Sequence, residues 1–280
     1  MSLLRALLRH DLRQLWRERT VTVVLAITLG AVCYASWSGS HWKAMQLAEF
    51  DSAHSERSAA FEREAQQLGA LESGSLDIAR AAAAGLPNTV KTELLLPPGP
   101  LAQLSIGEAD LRPSKATVTP VSRAADMFRF YQVDNPALLA LGRFDLAFVV
   151  IYLMPLLILA MSYSVLSADR ESGSLGLLLS QPVTAGQLAW ARILLRTALV
   201  GAAVVLGGTL SWWIFSPEPV STQALPRLLL WNSVVLAYAA FWAALSGLVA
   251  AGNRSSDSNA LILLLSWATV TLLLPALIAV

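Results

Sequence analysis

The chain has 280 residues, of which 55% are hydrophobic and only 14% charged, with a formal net charge of +1. An ordinary soluble domain carries about 25% charged residues, so this composition excludes a water-exposed globule as the main body of the chain. The near-neutral balance also gives no reason to expect nucleic acid or an acidic partner, and the mean hydropathy of +0.56 points to hydrocarbon as the solvent.

The N-terminal segment, residues 1–19, reads as an amphipathic helix. Arg5, Arg9, Arg13 and Arg17 recur every four residues as a basic stripe, with Leu4, Leu8, Leu12, Leu15 and Trp16 beside it. Such a helix lies in the headgroup plane, with its arginines on lipid phosphates and its leucines in the acyl boundary. Nucleic-acid binding is the rival reading, and adjacency to an apolar run favours the membrane interface. The segment is expected to act as an elbow that sets the depth of the first span.

A helix needs about 20 predominantly apolar residues to cross a bilayer. Five stretches meet that length with no charged residue inside: residues 20–39, 146–168, 197–217, 228–253 and 258–280. With their flanks, the second and third segments are 144–168 and 193–217. A buried helix of a soluble protein could explain one such stretch, but not five. A cleaved signal peptide fits the first poorly, because its long lead-in contains Asp11 and Glu18. The predicted fold class is an all-α polytopic membrane protein with five transmembrane helices.

Basic residues set the orientation. Arg5, Arg9, Arg13, Arg17, Arg19, Arg170, Arg192, Arg196 and Arg254 fall on one side of these spans, and Lys43, Lys91 and Lys115 on the other. This predicts a cytoplasmic N-terminus for a multi-pass membrane protein. Five spans from an inside start leave the last residues outside, and Pro275–Val280 has no polar tail. The expectation is a sixth span missing from the end, the alternative being a native five-span protein.

Between spans one and two, residues 40–143 form a polar extracytoplasmic insertion. Residues 43–69 lack proline and are rich in Ala, Glu and Gln, so they are expected to continue the first span as helix. Residues 77–84 suggest another helical piece. Prolines at 87, 97, 98, 100, 113 and 120 then forbid long helices, while residues 89–96 and 116–121 are β-prone and expected to pair weakly. A small, mostly helical α/β module results. Asp51, Ser52 and His54 lie too close on one helix to make a nucleophile–base–orienter line. The module reads as a contact surface for a substrate or another extracytoplasmic protein.

No ionisable residue lies within a span, and Asn232 is the strongest polar side chain there. That argues against a proton-coupled carrier or charge-selective channel, and the absence of a paired Asp or HExxH argues against an intramembrane protease. Small residues favour close helix packing: Ala243, Gly247 and Ala251 in span four, Gly201 and Gly208 in span three. Pro155 and Pro275 are expected to kink spans two and five. Cys33, the single cysteine, reads as a small buried hydrophobe. His10, His41 and His54 are scattered without ligand spacing, so no metal site is expected. No lysine follows a glycine, so no phosphate-binding P-loop is present and any ATPase must be a separate subunit.

The most specific stretch is residues 169–192. A charged triplet, Asp169-Arg170-Glu171, leaves span two; a short amphipathic run, Leu175 to Leu179, ends at Pro182; Thr184 then caps a new helix, with Gln187 at capping-box spacing. A helix–break–helix along the inner surface suits docking into a soluble partner's groove, or is an ordinary interfacial turn.

Asp169-Arg170-Glu171-Ser-Gly173-Ser174-Leu175, followed by Leu178-Leu179-Ser180-Gln181-Pro182, resembles the signature after span two of the type-2 ABC transporter permease family. Ser174 stands where Thr is commoner, and Gly176 where a charge is frequent. The basic elbow and the later spans extend the likeness over most of the chain. The long first loop looks like the subfamily with a large extracytoplasmic insertion, akin to permeases serving copper-enzyme maturation. The resemblance implies a six-span permease that dimerises, with itself or with a second permease, and binds two ABC ATPase subunits. ATP and Mg would sit on those subunits, with no cofactor in this chain. It also implies a coupling helix after span two, formed by Asp169, Arg170, Glu171, Gly173, Ser174, Leu175, Leu178, Leu179 and Pro182. Arg170 and Glu171 would contact the ATPase, while Leu175, Leu178 and Leu179 pack locally. Export of a lipophilic or amphipathic molecule through the permease dimer is the expected function, in keeping with the charge-free spans. The alternatives are ATP-driven mechanical action on a periplasmic partner and a non-transport scaffold or sensor.

Overall fold

A computed structural model describes residues 19–74, 92–107, 109, 115–118, 143–215 and 224–278. The elbow residues Arg5, Arg9, Arg13, Trp16 and Arg17 lie outside the described residues, as does the helical piece expected at 77–84. The chain divides into two compact units, one of Met1–Ser38 with Phe144–Val280 and one of Gly39–Arg143.

Helix α1 (Arg19–Glu72) runs without interruption from the first apolar stretch into the polar one. The proline-free sequence lets it continue, as expected for residues 43–69. In the first unit follow α2 (Leu146–Phe148), a π-helical turn π1 (Val149–Leu153), α3 (Met154–Ser162), α4 (Ser167–Glu171), α5 (Leu175–Leu179), α6 (Ala185–Phe215), α7 (Ala224–Ala250), α8 (Ser256–Ala268), a second π turn π2 (Thr269–Leu273) and α9 (Leu274–Ile278). Among the described residues, five stretches are long and apolar enough to cross a membrane: Arg19–Gln67, Leu146–Glu171, Ala185–Phe215, Ala224–Ala250 and Ser256–Ile278.

These are the five expected spans, with shifted ends. The helix that carries span three begins at Ala185, directly after the expected cap Thr184. The Thr184–Gln187 capping box forms in both directions. Gln187 N–H donates to Thr184 Oγ1 at 3.3 Å, and Thr184 N–H donates to Gln187 Oε1 at 3.2 Å, satisfying two donors of the helix start.

Pro155 and Pro275 each stand two residues past the end of a π turn. Pro155 lacks an N–H, and its ring clashes with the carbonyl of Ile151 in α-helical register. The wider π1 turn, closed by Met154 N–H to the Val149 carbonyl, opens that register. Tyr238 of α7 donates its hydroxyl to the Ile151 carbonyl at 3.1 Å. Pro275 follows π2 in the same way, with Leu274 N–H on the Thr269 carbonyl.

Spans pack through small residues. A Cβ on Gly208 would fall 2.5 Å from Leu146 Cδ2, one on Gly207 would fall 2.6 Å from Val32 Cγ1, and one on Gly247 would fall 2.9 Å from the Trp190 ring. Gly201 makes only ordinary contacts with Leu236 and Ala239. Trp242, Met154, Ile158 and Val200 are fully buried between helices, and Asn232 donates to Thr209 Oγ1 at 3.0 Å. Leucines such as Leu206 and Leu248 are exposed on the outside (68% and 72%). An apolar outer face with backbone groups paired inside helices is what hydrocarbon demands. Cys33 is also exposed, correcting the buried reading. In a span, apolar neighbours mark the lipid face as readily as the core.

In the second unit, β1 (Thr92–Leu95) pairs antiparallel with β2 (Lys115–Val118), Thr92 opposite Val118. Both lie within or beside the stretches expected to pair. Gly39 of α1 meets the backbone at Gln103 so closely that a Cβ would stand 2.0 Å from the Gln103 carbonyl oxygen. Trp42, Leu104 and Ile106 are buried in this unit.

Candidate functional site

The 169–192 segment is built from three short pieces. Helix α4 closes on Gly173, whose φ of +74° is the left-handed conformation that ends helices, with its N–H on the Arg170 carbonyl at 3.1 Å. A residue with a Cβ would be strained there. The reversal brings Ser174 back over α4, where its hydroxyl lies 3.3 Å from the Asp169 carbonyl and 3.4 Å from Asp169 Oδ1. Ser172 donates to the Asp169 carbonyl at 3.2 Å. The Gly-Ser pair is therefore what folds α5 back after α4.

Helix α5 then divides its leucines. Leu175 and Leu178, three apart, pack on a cluster of Val165, Leu166, Leu188, Ala189, Ile193, Ala243 and Ala250. Leu177, on the opposite side, is 76% exposed, and Leu179 is 40% exposed rather than packed locally as expected. Pro182 is exposed beyond them.

The charged triplet is engaged within the chain. Asp169 pairs with Arg192 of α6 at 2.5 Å, and the same guanidinium donates to the Val165 carbonyl at 2.9 Å. One turn further along α6, Arg196 donates to the Met161 carbonyl. Residues four apart share a helix face, so the pairs 192 with 165 and 169, and 196 with 161, form a ladder between antiparallel helices. On the other side, Glu171 Oε1 accepts the Ser256 N–H at 2.7 Å, and Ser256 donates its hydroxyl to Glu171 Oε2 at 3.1 Å. The Ser256 hydroxyl also lies 2.8 Å from that of Ser167. Arg170 reaches the Arg254 carbonyl at 3.5 Å, and Asn259 donates to the Tyr163 carbonyl at 3.4 Å. The end of span two is thus tied to α6 and to the start of α8.

In the sequence Arg192 and Arg196 read only as orientation markers, and nothing marks Ser256. The i, i+4 spacing of the arginines against Asp169 was the available signal. Leu177 stood out only by falling off the i, i+3 face of Leu175 and Leu178.

A model of the ABC-2 family transporter protein family matches residues 5–280. The chain belongs to the ABC-2 transporter family. This ABC-2 protein is therefore a multi-pass membrane permease component of an ABC transporter, working with an ABC ATPase rather than being the ATPase itself. No curated protein and no solved structure matched the chain. Among the described residues of the permease, no group of three or more His, Cys, Asp or Glu could hold a metal ion.

Proposed function

We propose that this permease is an exporter subunit of a bacterial cytoplasmic membrane, with its N-terminus and 169–192 loop inside and the 39–143 unit outside. It pairs with itself or a second permease and binds two ATPase subunits that carry ATP and Mg. The observation that carries the reading is a glycine-turned helix presenting Leu177 and Leu179 outward between spans two and three, in a chain of this family. Two exposed leucines followed by an exposed proline are an apolar knob of the kind a soluble partner's groove takes up. The arginine bias of that side supports its facing the cytoplasm, and the charge-free spans support a lipophilic cargo.

Leu177→Asp tests the docking site. A buried anchor contributes about 2 kcal/mol or more to an interface, so affinity for the ATPase should fall about thirtyfold. The exposed position leaves folding intact. Undiminished co-purification of the ATPase with the variant would overturn the assignment.

A second reading is mechanical transmission, in which ATP hydrolysis moves the 39–143 unit against a periplasmic protein. The size of that unit favours it. Vesicle transport with no extracytoplasmic protein captured would exclude it; capture without transport would favour it.

A further inference from the structure

The charged triplet does two different jobs, and the one done by Glu171 was not visible in its sequence. Helix α8 starts at Ser256, and its N-cap Ser255 covers the Ser258 N–H through its own hydroxyl. The Ser256 N–H is another of the donors that a helix start leaves without an intrahelical acceptor. Its acceptor is Glu171, brought from 85 positions earlier at 2.7 Å. The carboxylate stands at the positive end of the α8 dipole and also accepts the Ser256 hydroxyl. Glu171 is therefore a helix cap supplied in trans by another span.

We propose that Glu171 is a positioning residue that joins the 169–192 loop to the last described span, so that displacement of the loop is passed to α8 as well as to α6. This rests on the permease reading above. Span three is connected to the loop through the chain itself, seconded by Asp169 and Arg192. Span five has no such covalent link, and its attachment to the loop runs through Glu171, with Ser167 and Arg170 beside it.

The joint can be cut from either side. Glu171→Ala removes the acceptor. Ser256→Pro removes the donor, and proline is well tolerated at the first position of a helix. Ser255 already has the extended backbone, φ −67° and ψ 159°, that a residue before proline requires. Glu171→Gln keeps an oxygen for the N–H while removing the charge.

The experiment uses the full permease purified with its ATPase, with two readouts. Hydrogen exchange at the first turn of α8 should accelerate on the order of fivefold in Glu171→Ala, the worth of one hydrogen bond, and less in Glu171→Gln. Ser256→Pro should keep ATPase co-purification, and both Glu171→Ala and Ser256→Pro should lose most of the permease's effect on ATP hydrolysis. Combining them should add little. Unchanged exchange in Glu171→Ala overturns the joint. So does loss of ATPase binding in Glu171→Ala with normal coupling in Ser256→Pro, which would make Glu171 a docking contact. If no ATPase accompanies even the unaltered chain, the permease reading fails, and the exchange result still decides whether the joint exists.

Discussion

The hydroxyl of Tyr238 donates to the carbonyl of Ile151 at 3.1 Å, across from α7 to the π turn of span two. Ile151 lies four residues before Pro155, so its carbonyl is the one that proline deprives of an α-helical partner. In hydrocarbon no water can replace that partner. The tyrosine thus makes a proline-interrupted span compatible with the membrane.

Tyr238→Phe keeps the ring, including its edge contact with Trp242 at 6.0 Å, and removes only the donor. Interhelical hydrogen bonds in membranes contribute about 0.6 kcal/mol on average, and a loss of that order is expected. Equilibrium unfolding in mixed micelles measures it. The double variant Tyr238→Phe/Pro155→Ala should lose less than Tyr238→Phe alone, because alanine lets the helix pair its own carbonyl.

Two glycines of α1 should respond oppositely to alanine. Gly30 has nothing within 4 Å of a built Cβ, so Gly30→Ala should stabilise by about 0.5–1 kcal/mol through helix propensity. A Cβ built on Gly39 would stand 2.0 Å from the Gln103 carbonyl oxygen, so Gly39→Ala should destabilise by about 1–3 kcal/mol through overpacking. Thermal unfolding of the two variants in the same detergent checks the sign of each.

At Gly173 the backbone, not space, is limiting. Nothing lies within 4 Å of a built Cβ there, yet φ is +74°. Gly173→Ala should cost about 1–2 kcal/mol, and Gly173→Asn less, since asparagine tolerates the left-handed region. Because the turn orients α5, coupling to the ATPase should follow the same order, measured as the change in ATP hydrolysis on complex formation.

Asp169 and Arg192 are mostly shielded, with side chains 22% and 14% exposed. Asp169→Ala takes this carboxylate away from the guanidinium, which keeps its contact with the Val165 carbonyl, and a loss of about 1–3 kcal/mol is expected. Arg192→Ala should cost a similar amount, and the double variant less than the sum. Strict additivity in this cycle would show that the pair contributes no mutual stabilisation.

Much of this was readable from the residues. Apolar length determined the five spans, because crossing hydrocarbon leaves little choice of composition. Hydrogen-bonding side chains at fixed short spacing determined the Thr184–Gln187 box, and the proline-free polar run determined the continuation of α1 to Glu72. Local rules suffice where partners lie within one or two turns.

Tertiary structure alone decided what long-range partners do. Cys33 proved exposed and Leu179 half-open because hydrophobicity does not say whether a side chain meets lipid, protein or a surface. The charged triplet is legible as a motif, but its geometry is not. Asp169 turns to Arg192 and Glu171 to Ser256 because the N-terminal turns of α6 and α8 lie beside it, and only packing brings their donors within reach.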